Sequence, residues 1–551
     1  MDVLAAARSW LDQDPDSQTR EELAAIIESA EQQDETAAAD LSARFAGRLA
    51  FGTAGLRGEL GAGPLRMNRV LVAQAAAGFA AYLTERATAG TQPSVVIGYD
   101  GRRNSDVFAR DSAEIFAGAG LRAIILPRLL PTPVLAFAVR HLGADAGVMV
   151  TASHNPPNDN GYKVYLGGAD EGAQIVTPAD REIAAHIQRV ADELRVPELP
   201  RSDAYEIAGE DVVEAYIAAT AAVAPAPAAA AGMRWAYTAM HGVGWETFQR
   251  IVERAGYPAP EVVAEQIAPD AAFPTVAFPN PEEPGAMDLA FTTAAAHDAE
   301  FVLANDPDAD RLAVGIPTVD GWRRLTGNEI GLLLGARAAR AAAGRPGASL
   351  ACSLVSSPGL GAIAERHGLV FHTTLTGFKW ISRAPGIVYG FEEALGYLVN
   401  PETVRDKDGI SAAVAMLSLA AEARGRGITI AGLLDELAEE IGHHASGQIS
   451  VRVADISLIA AVMTRLRAAP PTAFGDRAVV RAEDLLRPPQ GGPSGDVLRY
   501  ALDDGSRVIV RPSGTEPKLK VYLDVVGASA ADASGRLAAL DAAARAVVGA
   551  D

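Results

Sequence analysis

The residues that most directly suggest chemistry form the segment Thr-Ala-Ser-His-Asn-Pro at positions 151–156. This segment follows the apolar run 147–150, which predicts a buried strand, so Ser153 would stand on a loop at the carboxyl end of that strand. Open α/β sheets place their chemistry at this end. Ser-His-Asn-Pro is also ordinary turn chemistry. Taken alone, the segment therefore leaves open a plain loop and a nucleophilic serine.

Three aspartates follow a second apolar run and alternate along the chain, at Asp306, Asp308 and Asp310. Alternating carboxylates can converge on one Mg²⁺ ion, which takes oxygen ligands in octahedral geometry. A calcium loop of the EF-hand type is excluded, because Arg311 stands where that loop needs glycine and Pro317 where it needs glutamate. A solvated acidic turn is the alternative, but carboxylates this close repel one another unless a cation binds them.

Two further segments have the composition of phosphate-binding loops. Residues 511–518 combine an arginine, two hydroxyl groups and a glycine that lets backbone N–H groups approach an anion. The candidate phosphate ligands there are Arg511, Ser513, Gly514 and Thr515. Residues 51–58 (Phe-Gly-Thr-Ala-Gly-Leu-Arg-Gly) add Arg57 within a glycine-rich stretch, which is a weaker signal. A surface turn is the alternative for each segment.

Together these motifs resemble those of the α-D-phosphohexomutases, the family of phosphoglucomutases and phosphomannomutases. The serine, aspartate and arginine segments resemble its phosphoserine, metal and phosphate loops. Residues 390–397 (Gly-Phe-Glu-Glu-Ala-Leu-Gly-Tyr) stand where the family has its sugar-binding loop. The motifs keep the family's order from residue 51 to residue 520, nearly the whole chain.

The resemblance implies three similar α/β domains with mixed sheets and a smaller α+β C-terminal domain, arranged around a central cleft. We expect the domains at residues 1–205, with an N-terminal extension and the phosphoserine, 206–322 with the metal, 323–445 with the sugar loop and 446–551 with the phosphate loop. Apolar runs such as 94–97 and 235–238 alternate with alanine-rich segments such as 332–343, which is typical of strands with flanking helices.

The resemblance also implies a mechanism. Phosphorylated Ser153 would donate its phosphoryl group to a hexose monophosphate, with Mg²⁺ held by the three aspartates and a phosphate oxygen on Ser153. A sugar bisphosphate would be both intermediate and activator. His154 and Arg57 would flank the reacting centre, Glu393 would contact the sugar, and residues 511–515 would hold the phosphate that is not reacting. The expected reaction interconverts hexose 1-phosphate and 6-phosphate, with glucose as the leading sugar and mannose second.

Lysine usage supports this interpretation. The chain has five lysines against 43 arginines, and each lysine lies in or beside a motif-like segment. A chain that uses arginine for its general surface charge retains lysine where a compact, titratable ammonium matters. Lys163, just after the serine loop, and Lys379 are therefore candidates for proton handling and contact with substrate phosphate.

Composition excludes several other classes of protein. The net charge of −21 argues against nucleic acid and anionic membranes as partners. The resemblance implies small sugar phosphates as partners. A single cysteine, Cys352, excludes an internal disulfide and suits the cytoplasm. It stands in an apolar run, which predicts a buried thiol. The N-terminus has no pattern of a signal peptide. The oligomeric state is left open.

The sugar loop departs from the pattern of the family it resembles. Many members carry Glu-x-Ser-Gly, whereas this chain has Glu393-Ala394-Leu395-Gly396, and a leucine donates no hydrogen bond. A phosphopentose mutase or a sugar bisphosphate synthase is therefore an alternative with the same site. A sugar-phosphate binding protein is the non-enzyme alternative, but it would need neither the serine nor the three aspartates.

Overall fold

Runs of apolar residues and alanine-rich segments form alternating strands and helices along most of this chain. The computed structural model describes residues 2–453, 456–488, 494–512 and 518–549. Two compact units are present, Met1–Leu325 with Gly396–Glu422 and Thr326–Leu395 with Ala423–Asp551. No helix within the described ranges is long and apolar enough to cross a membrane.

The first unit begins with three helices, α1 (Val3–Leu11), α2 (Ser17–Glu31) and α3 (Glu35–Phe45). Asp2, Asp16 and Asp34 precede them, and each accepts hydrogen bonds from the first backbone N–H groups of its helix. Trp10 and Leu23 bury their side chains in the same apolar core as the first sheet. The N-terminal extension is thus packed into this unit.

The first sheet carries the serine loop. Its strands are β1 (Leu56–Glu59), β2 (Ser94–Tyr99), β3 (Arg122–Ile125), β4 (Ala146–Val150), β5 (Asp159–Leu166), β6 (Ala173–Gln174) and β7 (Glu206–Ile207). The strand order is β1-β5-β4-β2-β3-β7, with β6 beside β5. β4, β2, β3 and β7 are parallel, whereas β5 is antiparallel to β4 and to β1. The helices are α4 (Arg69–Arg86), α5 (Ser105–Gly118), α6 (Thr132–His141) and α7 (Ala179–Glu193).

The second sheet of this unit carries the three aspartates. Its elements are α8 (Glu210–Ala221), β8 (Trp235–Thr238), α9 (Gly244–Ala255), β9 (Glu261–Val262), α10 (Asp288–Ala296), β10 (Phe301–Asn305), β11 (Leu312–Thr318) and β12 (Gly321–Arg324). The strand order is β12-β11-β10-β8-β9. β10, β8 and β9 are parallel, and β11 and β12 are antiparallel. Later in the chain come β16 (Gly396–Leu398) and α14 (Gly409–Gly425), which begins in this unit.

The second unit holds three strands of the third sheet and the whole of the fourth sheet. The first segment of this unit, residues 326–395, contains α11 (Gly327–Ala342), β13 (Ser349–Ser353), α12 (Gly359–Arg366), β14 (Val370–Thr374), α13 (Phe378–Ile381) and β15 (Ile387–Glu392). β13 lies between β14 and β15, parallel to both. The alanine-rich segment predicted as helical lies within α11, apart from its last residue, and Cys352 is buried in β13 as predicted.

The C-terminal part is an antiparallel sheet with helices. Its elements are α15 (Ile430–Ile441), β17 (His443–Arg452), α16 (Ile456–Ala468), β18 (Ala473–Phe474), β19 (Arg477–Asp484), β20 (Leu498–Leu502), β21 (Arg507–Pro512), β22 (Lys518–Gly527) and α17 (Ala530–Val548). The strand order is β17-β22-β21-β20-β19-β18. The predicted fold class, three α/β domains followed by an α+β domain, is confirmed. The predicted domain boundaries stay a prediction.

Candidate active site

The aspartate loop joins β10 to β11, and its three carboxylates converge. Asp306, Asp308 and Asp310 are all buried, and one oxygen from each lies within 4.8 Å of the other two. The chain reverses through Ala309, which adopts φ +56°. Because the loop connects two antiparallel strands in a tight reversal, alternate side chains point into the same space.

The donor set fits a hard divalent cation. Asp308 Oδ1 and Asp310 Oδ1 are buried, and neither has a hydrogen-bond partner among the described residues. Burial, together with the carboxylates of Asp308 and Asp310, raises the pKa of Asp306 well above its ordinary value. A bound cation would satisfy the unpaired oxygens and stabilise the ionised carboxylates.

Two buried lysines approach the same aspartates. Lys163 Nζ on β5 lies 2.7 Å from Asp308 Oδ2 and 2.9 Å from Asp310 Oδ2. Lys407 Nζ lies 3.3 Å from Asp310 Oδ2. Burial alone would raise the pKa of Asp308, but the charge of Lys163 together with hydrogen bonds to this carboxylate, among them those from Lys163 and Thr132, holds that pKa below its ordinary value. The ammonium groups therefore balance part of the negative charge of the cluster.

The serine loop brings Ser153 against this cluster. Ser153 is 2% exposed, and its Oγ donates a hydrogen bond of 2.7 Å to Asp306 Oδ2. The residue adopts φ +51°, a left-handed conformation that is costly for a side-chain-bearing residue. Its backbone N–H donates to Thr151 Oγ1 at 2.8 Å. The loop therefore holds the hydroxyl beside the carboxylates against a local backbone preference.

Arg102, in the loop that follows β2, holds the serine loop in this shape. Its side chain donates hydrogen bonds to the carbonyl oxygens of Ser153 and Asn155, both at 2.6 Å, of Pro156 at 2.8 Å and of Asp159 at 3.0 Å. One buried guanidinium thus satisfies four carbonyl groups of the loop. Such a planar fork of donors is a property of arginine that lysine lacks.

His154 and Arg57 lie beside the serine. His154 Nδ1 is 3.2 Å from Ser153 Oγ and 3.9 Å from Asp306 Oδ2. Burial and the neighbouring cations Arg311 and Arg57 lower the pKa of His154 well below 6.5, so the ring is neutral at neutral pH. Arg57, on β1, donates to Asn155 Oδ1 at 3.1 Å. Both residues therefore line the predicted site.

The remaining predicted residues belong to the second unit. Glu393 follows β15, and its Oε2 accepts hydrogen bonds from two serine hydroxyls. Lys379 is half-buried in α13. Arg511 lies near the end of β21, paired with Lys520 of β22. Ser513, Gly514 and Thr515 lie outside the described residues.

Several residues of the first-unit cluster were not predicted as site residues. Thr132 at the start of α6 donates from Oγ1 to Asp308 Oδ2 at 2.6 Å. Lys407 and Arg102 contact the two loops as described. The rarity of lysine marked Lys407 in the sequence, and Arg102 stands in a loop after a predicted strand, but neither signal shows which loop the side chain meets.

Comparisons with known proteins agree on one family. Models of the phosphoglucomutase/phosphomannomutase α/β/α domains I, II and III match residues 48–193, 214–319 and 326–441, and the model of the C-terminal domain matches residues 449–536. A probable phosphomannomutase from Haemophilus influenzae is 53% identical over 86% of this chain and 96% of its own length. A probable phosphoribomutase from Schizosaccharomyces pombe is 33% identical over 95% and 94%. The crystal structure of a putative phosphomannomutase from Thermus thermophilus is 25% identical, covers 91% of this chain and 99% of its own, and has a TM-score of 0.70.

Proposed function

The chain belongs to the phosphoglucomutase/phosphomannomutase family, and we propose that it interconverts the 1- and 6-phosphates of a hexose through a phosphoserine at Ser153. Its relatives are named mutases, so the enzyme class follows from the family. The observation that carries the mechanism is the hydrogen bond of 2.7 Å from Ser153 Oγ to Asp306 Oδ2. It joins the nucleophile to a carboxylate cluster that fits a divalent cation.

In the proposed reaction, the phosphoryl group leaves Ser153 Oγ and bonds to the free hydroxyl oxygen of a sugar monophosphate. The P–O bond to serine breaks, the new P–O bond forms, the sugar hydroxyl gives its proton to a base, and Ser153 Oγ gains a proton as it leaves. The sugar bisphosphate then returns its other phosphoryl group to Ser153 Oγ. Mg²⁺, held by Asp306, Asp308 and Asp310, would supply charge stabilisation of the transferring group.

The protein's own residues supply position and charge. Arg102 fixes the serine loop, and Arg57 and Lys163 place positive charge beside Ser153 and the aspartates. We assign proton handling and phosphate contact to Lys163 and Lys379, and a flanking role to His154. Glu393 is the proposed acceptor for sugar hydroxyls, and residues 511–515 hold the second phosphate.

The sugar is proposed to be glucose or mannose. The relative that is 53% identical is named a probable phosphomannomutase, which supports mannose beside glucose. A pentose phosphate is the second candidate, because the 33% identical relative named a probable phosphoribomutase covers 95% of the chain.

The test is a coupled assay with the 1-phosphates of glucose, mannose, ribose and deoxyribose, with and without a hexose bisphosphate. We expect turnover on a hexose phosphate that depends on Mg²⁺ and rises with the bisphosphate. A pentose preference in kcat/KM above about tenfold, which corresponds to about 1.4 kcal/mol, would contradict the hexose assignment. Net synthesis of bisphosphate without return to a monophosphate would instead identify a synthase.

A further inference from the structure

The carboxylate of Glu393 is bound by two buried serines, Ser353 at the end of β13 and Ser356 in the turn that follows. Ser353 Oγ donates to Glu393 Oε2 at 3.2 Å, and Ser356 Oγ lies 3.1 Å from the same oxygen. The two hydroxyl oxygens are 2.8 Å apart. Both serines are essentially buried, at 1% and 0% exposure. The contact is therefore shielded from water that would otherwise compete for it.

Ser356 holds Glu393 at two points. The backbone N–H of Glu393 donates to Ser356 Oγ at 3.0 Å, and the same hydroxyl is in reach of Glu393 Oε2. A hydroxyl has one proton and two acceptor lone pairs, so it can accept from the backbone while it donates its own proton. Ser356 thus fixes both the backbone of the sugar loop at Glu393 and the direction of the Glu393 carboxylate.

The turn that carries the serines is itself anchored. Leu354 and Val355, between the two serines, pack into an apolar cluster with Leu485, Val497, Ile509 and Tyr522. The carbonyl oxygen of Ser356 accepts a hydrogen bond of 2.7 Å from Arg507 Nη2 on β21. Apolar residues thus face the core while the serines face Glu393, so the hydroxyls have little freedom to move away.

The sugar loop also packs closely against the start of α11, and neither Ala394 nor Leu395 beside Glu393 carries a hydroxyl group. Gly327, the first residue of α11, lies so close that a Cβ there would come within 1.8 Å of the carbonyl oxygen of Glu393. Leu395 is fully buried at φ +63°, so its side chain packs inside the protein. Ser353 and Ser356, from another segment of the chain, each bring a hydroxyl group to the Glu393 carboxylate.

We propose that Ser353 and Ser356 are positioning residues that fix the Glu393 carboxylate and thereby set how sharply the enzyme discriminates between epimeric hexose phosphates. This inference rests on the sugar contact assigned to Glu393 in the proposed function. A carboxylate held on one oxygen and on its backbone accepts sugar hydroxyls from a restricted direction. A carboxylate released from the serines can follow a hydroxyl in either epimeric position, so the epimers become less distinct.

The experiment compares wild-type protein with Ser356→Ala, Ser353→Ala and the control Ser357→Ala on glucose and mannose 1-phosphates. Ser357 is equally buried in the same turn, but its Oγ accepts from the N–H of Gly359 at 3.2 Å. We expect Ser356→Ala to lower kcat/KM on the preferred hexose by about tenfold, from loss of its hydrogen bonds to Glu393. The ratio of kcat/KM between the two sugars should also become smaller in Ser356→Ala. Ser353→Ala should show a smaller loss of kcat/KM and a smaller change in this ratio, and Ser357→Ala should change neither.

A double-mutant cycle with Glu393→Ala separates positioning from general damage. If Ser356 acts through the Glu393 carboxylate, Ser356→Ala lowers kcat/KM by clearly less in the Glu393→Ala protein than in the wild-type protein, because the carboxylate that it positions is already absent. Full additivity, or equal losses in Ser356→Ala and Ser357→Ala, would overturn the proposal. If Ser356→Ala fails to fold, the same cycle with Ser353→Ala decides.

The wild-type assay distinguishes failure of this proposal from failure of the proposed function. Wild-type protein without mutase turnover on either hexose contradicts the proposed function and with it this inference. Wild-type turnover with unchanged sugar preference in both serine variants contradicts this inference alone. As a further control, incubation with hexose bisphosphate should phosphorylate Ser153 equally in wild-type and Ser357→Ala protein, measured by intact mass.

Discussion

Replacement of Arg102 by lysine keeps a buried positive charge but removes the fork that holds the serine loop. Arg102 Nη1 donates to two loop carbonyls and Nη2 to two others, at 2.6 to 3.0 Å. A lysine has one nitrogen with three protons, so it can retain at most three of the four bonds and cannot reproduce the planar fork. Each charge-assisted hydrogen bond is worth about 1.5–3 kcal/mol, so the loss is at least about 1.5–3 kcal/mol.

The loss should affect catalysis as well as stability, because the bonds hold Ser153 at φ +51°. A displacement of a reacting group by about 1 Å costs about 100-fold in rate. We expect Arg102→Lys to lower kcat by about that factor and to lower the thermal midpoint. Arg103→Lys, a change at the adjacent exposed arginine, is the matched control. Equal kcat and thermal midpoint in the two variants would refute the role given to Arg102.

Three further predictions follow from the buried charges. Asp306→Asn should leave the metal-free protein folded, because the change relieves repulsion between the three carboxylates. The same change should abolish the rise in thermal midpoint that Mg²⁺ causes in the wild-type protein. A rise as large as in the wild type would contradict the metal site. Lys407→Ala removes a cation 3.3 Å from Asp310 and should lower the free energy of unfolding by about 3 kcal/mol. Arg86→Ala, which removes one partner of an exposed ion pair, is the control and should lower it by about 0–1 kcal/mol. Thermal unfolding of both variants measures the difference. Burial raises the pKa of Asp408 from 3.8 to about 6, so ionisation of this carboxyl group lowers the free energy of unfolding as the pH rises from about 4 to 6. Asp408→Asn should therefore have a free energy of unfolding up to about 3 kcal/mol above that of the wild type above pH 6, and nearly the same at pH 4. A difference that does not depend on pH would refute this prediction.

The fold and the first-unit cluster could be predicted because local sequence determines them. The strand before the serine loop, β4, lies between β2 and β5 within the sheet, and all five of its residues are buried. A strand that is buried on both faces is apolar along its whole length, as this one is. The aspartates alternate within one reversal, so their convergence depends on a short segment. Periodicity and loop composition are sufficient signals for such features.

Residues that act across the fold could not be predicted in the same way. Lys407 contacts Asp310 although the two residues are nearly one hundred positions apart in the sequence. The segment that carries Lys407 passes close to the backbone carbonyl of Arg311 at Gly409, where a side chain would not fit. Ser353 and Ser356 form an ordinary turn in the sequence and meet Glu393 through the pairing of β13 with β15. The leucine at position 395 reads as a missing sugar contact, but its left-handed backbone and full burial show a packing role.

Phosphorylation of Ser153 can be measured by the intact mass of the protein. Purified protein would be incubated with a hexose 1,6-bisphosphate and Mg²⁺, desalted and measured beside Ser153→Ala, with peptide mapping of the modified position. We predict that the wild-type protein gains the mass of one phosphoryl group on Ser153 and loses it on addition of hexose monophosphate, whereas Ser153→Ala gains none and has lost nearly all mutase turnover. An unmodified wild-type protein that is active, or full activity in Ser153→Ala, would contradict it.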